Sequence, residues 1–101
     1  MKTIKRKIDG DTVITRDTNI SGTVVGSVTV SESTLLHLDG NINGNLILSN
    51  DSTAYIHGTV NGNVNNIGGF VEVFGTVNGK VICESGVCLV DSKGIVKGGL
   101  S

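Results

Sequence analysis

A seven-residue motif, Gly-x-(Val/Ile)-x-Gly-x-(Val/Leu), runs through almost the whole chain. Copies begin at Gly22 (GTVVGSV), Gly40 (GNINGNL), Gly58 (GTVNGNV), Gly75 (GTVNGKV) and Gly94 (GIVKGGL), at steps of 18, 18, 17 and 19 residues. A period this regular is the mark of a repeat architecture, in which each unit buries its apolar face only by stacking on its neighbours. Within one unit the period is two. Val24, Val28, Val30, Leu36 and Leu38 share parity, so an extended chain points them the same way.

Stacking the units aligns these residues into inward columns. One is Val24, Ile42, Val60, Val77 and Val96; a second is Val28, Leu46, Val64, Val81 and Leu100; a third is Ile20, Leu38, Ile56 and Val73. A fourth runs Val30, Leu48, Cys83, with Asn66 as a break for which Ile67 is the expected substitute. The glycines form columns of their own, which fits corners where no Cβ has room or where φ is positive. Glycine and β-branched residues disfavour helix. Eighteen residues divide into three sides of a short strand and a corner each, so the expected fold is all-β: a three-sided parallel β-solenoid. Four to five coils at ~4.8 Å spacing give a rod of ~20–25 Å. The shortened step is expected at the corner Asn65–Gly69 and the lengthened one at Glu84–Cys88. Val24, Val30, Leu36, Ile42, Leu48, Ala54 and Val60 are also six apart, the hexad of left-handed acyltransferase solenoids. The small residue usual after each hexad aliphatic is missing, since Val25, His37 and Tyr55 stand there. A right-handed solenoid is expected, and the acyltransferase reading ranks last.

The division expected is a basic strand or arm and turn over residues 1–11, then the solenoid over 12–101. Lys2, Lys5, Arg6 and Lys7 are half of the chain's eight basic residues. They are candidates for contact with an anionic membrane surface or an acidic partner. The net charge of −1 gives no reason to expect nucleic acid. No apolar run is long enough to span a bilayer and no apolar stretch follows the basic start, so a cytoplasmic protein, membrane-peripheral at most, is expected.

Cys83 and Cys88 do not make a disulfide framework. Cys83 reads as a small core hydrophobe. His37 and His57 lie two positions out of register and read as solvated surface residues. No nucleophile, acid–base pair or ligand cluster accompanies them, so neither an enzyme nor a cofactor or metal is expected. Outward columns Thr23, Asn41, Thr59, Thr76 and Val25, Asn43, Asn61, Asn78 read as polar ladders, in which stacked Asn amides hydrogen-bond to one another.

The glycine–valine ladder at this period resembles the bactofilins, the polymer-forming bacterial cytoskeletal family, over about residues 12 to 101. The resemblance implies a right-handed three-sided β-helix. It also implies nucleotide-free assembly into nonpolar filaments through the terminal coils, with flanking tails for membranes or partners. The residues themselves lead to a similar expectation. A solenoid's end coils leave strand edges and apolar columns open unless they are capped. The last motif runs to Leu100, so the C-terminal face is expected open, with only the basic strand over 2–8 as a cap at the other end. Self-association is assigned to Ile95, Val96 and Leu100 at one end and to Ile4, Ile8, Val13 and Ile20 at the other. The partner is then a second copy, in a homo-oligomer or filament. The alternative is a small protein-binding module, such as an immunity or adaptor protein, gripping another protein with a side or an end.

Overall fold

The computed structural model describes all 101 residues and contains strands and turns only. Three strands make each coil. The first is β1 (Lys2–Ile4), β2 (Lys7–Asp9) and β3 (Thr12–Ile14); the second is β4 (Thr18–Ile20), β5 (Thr23–Val25) and β6 (Val28–Val30). The third is β7 (Leu35–Leu38), β8 (Asn41–Ile42) and β9 (Leu46–Leu48), and the fourth β10 (Thr53–Ile56), β11 (Thr59–Val60) and β12 (Val64–Asn66). The fifth is β13 (Phe70–Val73), β14 (Thr76–Val77) and β15 (Val81–Cys83), and the sixth holds β16 (Val87–Val90) and β17 (Ile95–Val96). Every pairing is parallel and joins a strand to its counterpart one coil away. The result is three parallel sheets of six, six and five strands on the sides of a β-solenoid.

The expected columns are the observed ones. Val24, Val28, Val30, Leu36, Leu38, Ile42, Leu46, Leu48, Ile56 and Val60 are all fully buried. A fifth inward column, not drawn from the sequence, runs Lys2, Thr18, Leu36, Ala54, Val71 and Cys88. Aliphatic ladders replace the aromatic bulk of an ordinary core, because a coil this narrow admits one branched side chain per inward position.

The glycine column at Gly40, Gly58 and Gly75 is a matter of space. A Cβ at any of them would overlap the carbonyl oxygen of the glycine one coil below, and none has positive φ. Of the second column, Gly26 does take positive φ, at 147°.

The solenoid begins earlier, and has more layers, than the motif indicates. Residues 2–9 are paired strands: Ile4 aligns with Ile20 and Ile8 with Val24. There are six layers on two sides, not four to five, because the first coil is built without its motif glycine. That coil takes 16 residues, and its corner from Ile14 to Thr18 is two residues shorter than the one above it from Val30 to Leu36.

The corner after Asn66 is one residue short, as expected. The lengthened corner is elsewhere than expected. Glu84–Val87 keeps the short form, and two extra residues enter at Asp91–Gly94. There the Gly94 amide donates to the Asp91 carbonyl at 2.8 Å and the Lys93 amide to the Asp91 carboxylate at 3.0 Å, a self-contained turn.

Asn66 does not yield its place to Ile67. Its side chain is fully buried in the column, and Ile67 is exposed. The amide donates to the carbonyls of Gly69 (3.0 Å) and Val87 (3.1 Å) and lies 3.3 Å from the Cys88 sulfur. Its oxygen accepts from the Gly69 amide at 2.7 Å. The Gly69 carbonyl also accepts from the Val87 amide at 2.9 Å, but the Gly69 amide has only the Asn66 oxygen, so the Asn supplies at this short corner a bond that no strand provides.

Candidate association interface

The two ends of the solenoid differ in residue type and in exposure. In the first coil two of the three edge strands carry charge, Lys2-Thr3-Ile4 and Lys7-Ile8-Asp9, and the third, Thr12-Val13-Ile14, carries none. Ile4 and Ile14 stand in the outermost layer yet are only 6% and 4% exposed, because the narrow coil closes over them. Lys2, Arg6, Asp11, Thr12 and Arg16 share the mouth of this coil with Ile4, Ile8 and Ile14. Lys7 and Asp9 form a solvated pair at 3.7 Å. Charges on short edge strands are the usual device for preventing edge-to-edge pairing.

The last coil carries no such device. β16 reads Val87-Cys88-Leu89-Val90, and β17 Ile95-Val96. Both end their sheets, with no strand beyond them. Val90 and Leu100, which hold inward columns, are 38% and 59% exposed, and Val87, Leu89 and Ile95 on the outer rim are 45%, 46% and 53% exposed. Leu100 bridges Val81, and the Ser101 amide donates to the Val81 carbonyl at 2.9 Å, starting the third side of this layer. The rim charges of the coil are Asp91, Lys93 and Lys97, with Glu84 at the corner that leads into it.

Of the residues assigned to association from the sequence, Val96 and Leu100 lie in inward columns of the last layer, and Ile95 points outward beside them. Ile4 and Ile8 belong to the first layer. Val13 is there too but faces outward at 62% exposure. Ile20 is a correction: it is fully buried between Ile4 and Leu38, one layer in, and belongs to no end face. The basic residues Lys2, Lys5, Arg6 and Lys7 are all exposed on the first coil, where Asp9 and Asp11 accompany them. β16 was missed. Its signal is an unbroken apolar run on a side where β7 and β10 place His37 and Tyr55 outward.

Cys83 and Cys88 are joined by a disulfide, Cα to Cα 6.2 Å, and both stay partly exposed. The reading of Cys83 as a small core hydrophobe is therefore corrected: it keeps its place in the column but is half-buried and disulfide-bonded. Five residues of separation suffice because the two ends of a short corner face each other across it. A disulfide persists in oxidising compartments and is opened in a reducing cytosol, so the bond lends no support to the cytoplasmic expectation. No helix is long and apolar enough to cross a membrane.

The chain's five ring side chains gather on one outer face. His37 lies 5.2 Å from Tyr55, Tyr55 is 6.1 Å from Phe70, and His57 stacks on Phe74 at 4.7 Å and 7°. His37 and His57 stack at 6.5 Å, and the His57 Nδ1 is 3.9 Å from Asp39. Offset by two positions, the histidines fall in neighbouring columns and stack on the outer face, where His57 is exposed and His37 half-buried. Nowhere do three His, Cys, Asp or Glu side chains gather as a metal-holding group.

Compared with known proteins, the chain matches no family model, no curated protein and no solved structure.

Proposed function

We propose that this protein is a structural, self-associating solenoid that joins through its end coils, the mode of assembly that its resemblance to the polymer-forming bactofilins implies. One observation carries this reading: β16 is an exposed, uncharged, wholly apolar edge strand beside the open columns of Val90 and Leu100. Such an edge is a template for another strand, and covering it removes apolar area from water at ~25 cal/mol per Å² before association costs. The C-terminal coil is the joint, and hydrophobic burial with backbone pairing is the driving force.

The experiment is light scattering after size exclusion over a wide concentration range, with negative-stain microscopy of the same fractions, for the wild type and for Val96→Lys with Leu100→Lys. Self-association that the paired lysines abolish is expected. A monomer at every concentration would overturn the reading. A second reading, a small protein-binding module, is favoured by the ring face of His37, Tyr55, His57, Phe70 and Phe74, which the fold does not bury. For a monomer that binds another protein, Tyr55→Ser and Phe74→Ser would then weaken the binding.

A further inference from the structure

We infer that assembly stops at two copies, joined tail to tail about a two-fold axis across β16, because the N-terminal coil is built to refuse another layer. The inference rests on the self-association reading above and adds to it the partner face and the end point.

Three features close the N-terminal face. Lys2 holds an inward position, in the column continued by Thr18, Leu36, Ala54, Val71 and Cys88. A layer stacked beneath it would bury its ammonium with no partner, which costs several kcal/mol. Arg6 stands where later coils have Gly22, Gly40, Gly58 and Gly75. A Cβ at Gly22 would overlap the Arg6 carbonyl oxygen, just as each later glycine would overlap the coil below it. Arg6 carries a Cβ at the position where every coil stacked on another has glycine, so an in-register layer added beneath would collide with it. Finally, the edge strands β1 and β2 carry Lys2, Lys7 and Asp9. A head-to-tail stack, which would seat this face on β16 and β17 of the next copy, meets all three obstacles, and a head-to-head stack meets each of them twice.

The C-terminal face accepts a copy of itself. Its rim side chains balance, Glu84 and Asp91 against Lys93 and Lys97, and the Ser101 carboxylate of the 101-residue chain is the one charge left over, so two such faces meet with little net repulsion. β16 is the four-residue edge of a six-strand sheet. A two-fold axis normal to that sheet sets it antiparallel to its own copy, so the sheet runs on into the partner, with the inward Val90 covered and the outward Val87 and Leu89 set beside their copies across the new strand pair. This is an isologous contact, and it closes. With extents of 30 × 24 × 21 Å, an end face is on the order of 500 Å², and two faces bury on the order of 1,000 Å², near the lower bound of specific interfaces. The dimer therefore forms reversibly.

Sedimentation velocity of the oxidised 101-residue chain, from micromolar to millimolar, tests this with two variants. The wild-type mass is expected to rise to twice 10.4 kDa and level off. Leu89→Lys, an outward and exposed site that leaves folding intact, is expected to weaken the dimer by about 30-fold or more. Lys2→Val with Arg6→Gly, Lys7→Thr and Asp9→Asn, which restores the column residue types and clears all three obstacles, is expected to lift the plateau and give longer stacks. A wild-type mass that keeps growing past the dimer would overturn the closed end point and leave self-association standing. A variant that removes all three obstacles yet stays dimeric, with circular dichroism unchanged, would overturn the cap. A chain monomeric throughout would overturn the reading beneath both.

Discussion

Lys2 and Cys88 occupy opposite ends of one inward column, in register through Thr18, Leu36, Ala54 and Val71. The column starts on a charge, passes through a buried hydroxyl and three aliphatics, and ends on a disulfide. The two faces of the solenoid are thus chemically opposite although the coils between them are near copies.

Asn66 is expected to resist replacement by the residue type of its own column. Asn66→Leu would match Leu48 below it but leave the Gly69 amide, the Gly69 carbonyl and the Val87 carbonyl without a side-chain partner. The Gly69 carbonyl keeps its bond from the Val87 amide, but the buried Gly69 amide loses its acceptor, and one unpaired buried group costs about 1–3 kcal/mol, so a loss of that size is expected in urea unfolding. Asn61→Ala, which removes exposed amide bonds to Asn43 (2.5 Å) and Asn78 (2.6 Å), is expected to cost about 1 kcal/mol or less, since water takes their place.

Two glycines separate space from conformation. Gly58→Ala puts a Cβ onto the Gly40 carbonyl oxygen, so two coils must part. Gly10→Ala meets no atom within 4 Å, but its φ of +119° suits only glycine. Gly58→Ala is expected to cost more than Gly10→Ala, whose backbone strain is about 1–3 kcal/mol, with thermal melts of the two variants as the measurement. Equal losses would mean that the coils part freely.

Reduction of Cys83–Cys88 is expected to loosen the last coil alone. A loop this short contributes about 2 kcal/mol by closure. Hydrogen exchange should then show faster opening of Val87–Val90, with β7 to β12 unchanged. Uniform loss of protection would instead mean that the coils unfold as one unit.

Truncating the middle of a ladder is expected to cost more than truncating its narrow end. Leu38→Ala empties a site closed above and below by Ile56 and Ile20, and about 2–5 kcal/mol is the usual loss. Ile8→Ala, half-buried in the first layer, should lose less than half as much in the same denaturant titration.

The sequence alone carried the repeat, the five glycine-led motifs, four of the five inward columns and the Asn43–Asn61–Asn78 ladder. Each follows from a period of two within a side and of about eighteen between coils, which side-chain type records directly. A second ladder escaped notice. The side chains of Asp11, Ser27, Asn45 and Asn63 accept from the backbone amides of Ser27, Asn45, Asn63 and Lys80 one coil on. Its members differ in type, so no single-residue repeat marks them.

Contact across columns and the state of the ends were decided by the tertiary structure. His37, Tyr55, His57, Phe70 and Phe74 follow no shared period and meet only because neighbouring columns run side by side on one face. The bond between Cys83 and Cys88 depends on the length of one corner. Counted back eighteen residues from Gly22, the sequence reaches Ile4; the short corner of the first coil instead brings Arg6 beneath that glycine. A repeat pattern states what each coil offers its neighbours, and the stacked chain alone shows which neighbours are present.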